Sequence, residues 1–284
     1  MKQPRSPSAS LFSYSRSTSP LPAPINHRHD CMSAFSKIHR YVRRLFKFQQ
    51  MDFEFAVWQM VYLFIAPQKV YRNFNYRKQT KSQFARDDPA FLVLFTGMLC
   101  VTSLGFGWVF NLQFSQTLYF LLYVIFVDCI FMGVLVATMF WFVTNRYLRI
   151  NPNADVEWGY AFDVHLNAFV PPLIILHFLQ LFFYYGEFFY LYGINYFMCY
   201  KKCFLGVISH DLFISRLIGN SFWMMAVSYY IYITFLGYSC IPELRHLRLL
   251  LAPLPALFVV YLISLAVGWN VSETLINFYL GRVL

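Results

Sequence analysis

Asp155, Glu157, Asp163 and His165 bring three carboxylates and an imidazole within eleven residues of one another. Beside a membrane, that set suits an interfacial lipid-modifying metalloenzyme, in which carboxylates and histidine hold a cation that activates water. The spacing works against it. Asp163 and His165 stand two apart, which does not by itself place both on one helical face, and no nucleophile motif, Gly-rich phosphate loop or second histidine pair accompanies them. The six cysteines are scattered, and the one close pair, Cys199 and Cys203, lacks the spacing and the second dyad of a zinc site. The expectation is no catalytic residue, no metal, no cofactor and no disulfide framework.

A second group lies in apolar sequence. Asp128 falls midway through a long apolar run, where a carboxylate costs about 2.5–3.5 kcal/mol at the centre of a spanning helix, so it should carry a partner or a proton. His177 is a candidate partner, and with Gln180 and Asn220 it would complete a buried polar network that fixes helix packing. The same side chains suit a proton or ion path, which makes a membrane transporter using Asp128 and His177 the rival reading.

A third group is cationic and aromatic. Tyr71, Arg72, Phe74, Tyr76, Arg77 and Lys78 interleave charges with rings, the pattern that holds single-stranded nucleic acid such as RNA. Segments flanking membrane helices share this composition, because rings favour the interface and Lys or Arg the cytosolic side. Upstream, Ile38, Val42 and Leu45 share one helical face while Lys37, Arg40, Arg44 and Lys47 share the other. The segment Lys37 to Phe48 therefore reads as a basic amphipathic helix: either Arg40, Arg43, Arg44 and Lys47 meet anionic lipid of the cytosolic leaflet, or the apolar face packs on the protein's own core.

The elements that must position these groups are membrane helices. Hydrophobic residues make up 58% of the 284, aromatics 21% and charged residues 13%, where soluble domains carry about 25% charged residues. The fold class is an all-α polytopic membrane bundle of about five transmembrane helices with a basic cytosolic N-terminal arm. Fifteen of the 23 Lys and Arg precede Pro89, so the net charge of +10 belongs to the arm and a uniformly basic nucleic-acid-binding fold is excluded.

Three regions follow: a Ser- and Pro-rich tail at 1–36, expected to be disordered; the arm at 37–89; and the bundle at 90–284. Within the arm, Phe53 to Ala66 is apolar but is closed by Pro67, too short to span and expected at the interface. Spans are expected at about 90–110, 117–143, 169–185, 217–240 and 249–269. Asp87 or Asp88 should cap the helix beginning at Pro89. Asn151 to Asn167 reads as a polar cytosolic connection, with Pro171 and Pro172 in the first turn of the third span. With no cleavable signal peptide expected, the N-terminus lies in the cytosol and five spans put the C-terminus in the lumen. Gly186 to Arg216 fits this topology poorly, since it carries Lys201, Lys202 and Arg216, and Phe188 to Tyr200 is expected as a re-entrant or interfacial piece. The sequon Asn270, Val271, Ser272 faces the lumen and is expected to stay bare, too close to the bilayer for a transferase.

Long words in this chain resemble one family. Met51 to Phe64 (MDFEFAVWQMVYLF), Pro67 to Leu94 (PQKVYRNFNYRKQTKSQFARDDPAFLVL), Asp155 to Phe169 (DVEWGYAFDVHLNAF), Leu176 to Phe183 (LHFLQLFF), Tyr229 to Tyr238 (YYIYITFLGY) and Leu265 to Trp269 (LAVGW) look like the uncoordinated-fifty family of multi-pass Golgi membrane proteins. The likeness runs from about Tyr41 to the end, departing at the tail and at about 185–207, an atypical insertion or translated intron. The resemblance implies a non-enzymatic protein of the Golgi membrane, with a pool at the inner nuclear membrane. It implies support of vesicular transport and of surface delivery of nicotinic acetylcholine receptor subunits as cargo, recruitment of an Arf guanine nucleotide exchange factor, and RNA binding. The basic segment Lys37 to Arg86 is then the expected docking platform.

Overall fold

The computed structural model describes residues 43, 45, 47–73, 88–150, 155–184 and 213–283. The tail at 1–36, the side chains of Arg40, Arg44, Phe74, Tyr76, Arg77 and Lys78, and the stretch at 185–207 lie outside the described residues. Of the amphipathic segment, Arg43, Leu45, Lys47 and Phe48 are described, and Phe48–Gln50 forms a short 3-10 turn.

Helix α1, Phe53–Ile65, starts on Asp52, whose carboxylate accepts the Phe55 N–H at 2.9 Å. It buries Ala56, Gln59, Met60 and Leu63, an i, i+3, i+4, i+7 stripe that gives one helical face to the core. After Ala66 the chain re-enters a helix, α2 (67–73), whose Val70 and Tyr71 are also buried. The arm from Phe53 to residue 73 is therefore part of the packed body.

Among the described residues, five long helices follow the arm and a sixth, shorter one comes after them: α3, Ala90–Val109; α4, Phe114–Leu148; α5, Trp158–Leu179, continued by Gln180–Tyr184; α6, Phe213–Ser239; and α7, Leu247–Val267, before α8, Val271–Val283. Four of these, α3, α4, α5 and α7, are long and apolar enough to cross a membrane. Helix α6, the expected fourth span, has the length at 27 residues, about 40 Å at 1.5 Å per residue. Its Ser, Asn and Tyr residues lower its apolar content, and it packs against α5, α7 and α8. A helix shielded by its neighbours carries polar groups that lipid would not accept.

The third span differs from expectation in a way proline chemistry explains. Residues from Trp158 onward are already helical, and Tyr160, Ala161, Val164, His165, Leu166 and Asn167 are buried, so the second half of the supposed polar connection is core. Pro171 and Pro172 stand inside the helix. Each lacks the N–H that would bond the carbonyl four residues back, and the turns that follow, Leu173–Leu179, are π-helical, a wider winding that absorbs the mismatch.

At one end of the bundle, the exit of α4 is knitted to the α6–α7 connection. Ile150 N–H donates to Glu243 O at 2.8 Å and Arg245 N–H donates to Leu148 O at 2.7 Å, closing an antiparallel bridge between Arg149 and Leu244. Among the described residues this bridge is the one piece of extended pairing. A local apolar cluster around Tyr160, Tyr238, Leu148 and Leu244 sits beneath it.

Candidate functional site

Helices α3, α4, α5, α6 and α8 enclose a cavity of about 390 Å³. Phe106, Phe120 and Phe169 supply much of its wall, and Asp128, His165, His177 and Gln180 open onto it. Two of these polar groups sit in irregular winding: Asp128 lies in the π-helical turns Val124–Phe131 of α4 and His177 in those of α5. Such turns redirect side chains that a regular helix would aim elsewhere.

The four residues expected as one network do not bond to one another. Asp128 accepts the Tyr279 hydroxyl at 2.9 Å. His177 Nδ1 lies 3.5 Å from Thr102 Oγ1, and its ring stands edge-on to Phe106. Gln180 is buried on the same wall. Asn220 lies apart. Its amide N–H groups donate to Ser264 Oγ at 2.9 Å and Trp269 O at 2.8 Å, while its carbonyl accepts Val271 N–H at 3.0 Å. Those bonds clamp the turn between α7 and α8, where Gly268 takes φ +80, a left-handed conformation suited to glycine. Asp128, His177 and Asn220 thus each serve different helices, because polar pairing inside a membrane bundle is decided by which helices meet.

The carboxylate and histidine set does not converge either. Asp155 is exposed and paired with the Arg149 guanidinium. His165 turns inward, its Nδ1 2.7 Å from the Tyr230 hydroxyl, while Glu157 stands exposed at the start of α5 and Asp163 is half-buried. Among the described residues no group of three or more His, Cys, Asp or Glu is placed to hold a metal ion.

Lys69 and Arg72 of α2 and Arg146, Arg245 and Arg248 beside the bridge lie toward one end. Arg43, Lys47, Lys69 and Arg72 are exposed. Tyr71, expected as a stacking ring, is 3% exposed and packs beside Gly237 of α6 and Cys240 just after it, so its ring serves the core and is closed to a base. Gln68 reaches Tyr232 of α6 at 2.7 Å, which sets α2 along the same end of α6. Arg146, Arg245, His246 and Arg248 are exposed around the bridge. Nothing local in the sequence announces the hydrogen bonding that brings these two stretches together. The carboxylates beside this end are structural: Asp88 accepts Ala90 N–H at 3.0 Å and Asp52 N–H at 2.8 Å.

Comparison with known proteins matches residues 41–280 to the UNC-50 family. The chain is 57% identical to a Drosophila melanogaster protein named "Protein unc-50 homolog", over 100% of this chain and 98% of that one. It is 52% identical to the Mus musculus protein of the same name, over 98% and 99% respectively, and 52% identical to that of Danio rerio, over 93% and 99%. No solved structure matches.

Proposed function

The chain belongs to the UNC-50 family, and from that membership we propose a non-enzymatic adaptor of the Golgi membrane that supports vesicular transport. Its proposed partner is an Arf guanine nucleotide exchange factor, and its proposed cargo is nicotinic acetylcholine receptor subunits bound for the cell surface. The observation that carries this reading is the extent of the match, which runs through the arm and the whole helical body.

The arrangement of charge supports it physically. Exposed Lys69 and Arg72 of α2 and Arg146, Arg245 and Arg248 near the bridge share one end. By the excess of Lys and Arg on cytosolic loops, this end faces the cytosol. There a fixed cationic surface attracts acidic protein segments and the anionic leaflet together. Proximity labelling from the N-terminus tests this, comparing wild type with the charge reversal of Arg72, Arg77 and Lys78. The expected result is loss of exchange-factor labelling with the bundle still folded; unchanged neighbours and unchanged Golgi retention would overturn the platform.

A further inference from the structure

The end of α6 and the turn into α7 frame an open hollow of about 620 Å³. Phe235 and Ser239, one helical turn apart on α6, form one side, and His246, Arg248, Leu249 and Ala252 form the other. The turn is held in a fixed shape. His246 takes φ 55 and ψ 29, a left-handed conformation that residues with a side chain adopt only where their surroundings impose it. Here hydrogen bonds on both sides do so: Arg245 N–H donates to Leu148 O at 2.7 Å, and Leu249 N–H donates to His246 O at 3.0 Å. Backbone strain of this kind gathers at ligand clamps.

The polar half of the hollow suits a phosphorylated sugar. Among the described residues no carboxylate lines it, and the side chains of His246 and Arg248 have no hydrogen bond or ion pair within the protein. Arg248 offers a planar fork of N–H donors that matches phosphate, and the His246 ring adds another donor. The Ser239 hydroxyl already donates to Phe235 O at 2.7 Å, so its oxygen is left to accept, as from a ring hydroxyl. An ammonium headgroup finds no carboxylate here, which sets aside phosphatidylserine and the zwitterionic phospholipids.

The apolar half continues into the bilayer. Leu249 is 64% exposed, and only 6% of the most apolar window of α7 lies inside the protein, so acyl chains reach the hollow from the membrane side. A soluble phosphate would leave Phe235 and Leu249 uncovered. Basic pockets beside spanning helices on the cytosolic face take phosphoinositide headgroups.

With this end facing the cytosol, as the adaptor reading has it, we propose that the hollow binds one inositol phospholipid. A ring phosphate lies on Arg248 and His246, a ring hydroxyl on Ser239, and the chains run along Phe235 and Leu249.

The test uses the full chain in phosphatidylcholine nanodiscs, which present both faces, with a diazirine-bearing phosphatidylinositol phosphate photoprobe and peptide mapping of the label. Competitors are the unlabelled inositol lipid, phosphatidylserine and the free inositol phosphate headgroup. Expected is label on the end of α6 and the start of α7, competed at least tenfold better by the inositol lipid than by either alternative. Arg248→Gln should weaken that competition about tenfold, the size of one lost charge-assisted hydrogen bond. Arg245→Gln, which removes the same charge outside the hollow, should weaken it only about twofold. His246→Gly, a residue suited to left-handed backbone, should keep the melting temperature and bind severalfold more weakly. Label elsewhere, equal competition by phosphatidylserine, or equal losses in Arg245→Gln and Arg248→Gln would overturn the site in favour of general surface charge. Equal competition by the free headgroup would overturn it in favour of a soluble ligand. No exchange factor is present in this assay, so failure here and failure of the adaptor function are separate outcomes.

Discussion

Tyr279 donates its hydroxyl hydrogen to Asp128 at 2.9 Å across 151 residues of sequence, fastening the last helix to the middle of α4. The Tyr279 ring also stands edge-on to Phe120 and Tyr123 of α4, so α8 is held by one polar bond set among aromatic contacts. Hydrogen bonds between membrane helices contribute about 0.6 kcal/mol on average and up to about 1.7. Tyr279→Phe should lower stability within that range, measured by reversible unfolding in detergent. Asp128→Leu combined with Tyr279→Phe should cost no more than the worse single change, because each alone already removes the same bond.

Asp88 should prove costly to remove for a surface carboxylate. Its two oxygens accept from different helices, Ala90 N–H in α3 and Asp52 N–H at the start of α1. Loss of a capping side chain typically costs about 1 kcal/mol, up to about 2. Asp88→Ala is expected at the upper end and Asp88→Asn, which keeps one acceptor, at roughly half. Thermal unfolding of the two variants side by side checks the order.

Gly237 marks a close approach of α5 and α6. A Cβ there would lie 2.8 and 2.9 Å from the Val164 methyls, and the Gly237 carbonyl already accepts the Tyr160 hydroxyl. Gly237→Ala should therefore destabilise by about 1–3 kcal/mol through overpacking. Val164→Ala in the same chain should restore most of the loss, while Gly97→Ala, with open space around its Cβ, should be nearly neutral. Failure of the second-site change to rescue would place the strain elsewhere.

Asn270 has a structural job that conflicts with glycosylation. It is 7% exposed, its side-chain oxygen accepts Glu273 N–H at 3.2 Å, and its backbone carbonyl accepts the Thr274 hydroxyl at 2.8 Å, the geometry of a helix cap on α8. The expected outcome is no change in gel mobility after glycosidase treatment. Asn270→Gln should likewise leave mobility unchanged yet lower the melting temperature.

What could be read from the sequence depended on how local the cause was. The Asp88 cap was legible because donor and acceptor lie two residues apart. The membrane class was legible from α3, α4 and α7, whose lipid-facing composition is continuous. The start of α5 was not, since two adjacent prolines suggest a beginning and only the π-helical turns after them show a continuation. Tyr71 shares its composition with any interfacial ring, and its burial depends on α6, more than 160 residues later. Asn220 looked like a network member by polarity alone, while its true partners are set by how the α7–α8 turn returns to α6. Helix α8 is short and mixed in character, and the contact that holds it lies 151 residues away in sequence.

The uneven burial of the long helices bears on how the chain is made. Only 6% of the most apolar window of α7 lies inside the protein, against 56% for α5. On leaving the translocon, α7 meets lipid on nearly every side and is at home there alone. Helix α5 emerges earlier; its Asn167 accepts from Gln59 of α1, which is already made, whereas the partner of its His165, Tyr230 of α6, has yet to be synthesised. For that interval α5 has the earlier helices α1, α3 and α4 to pack on, and its buried face is completed when α6 arrives.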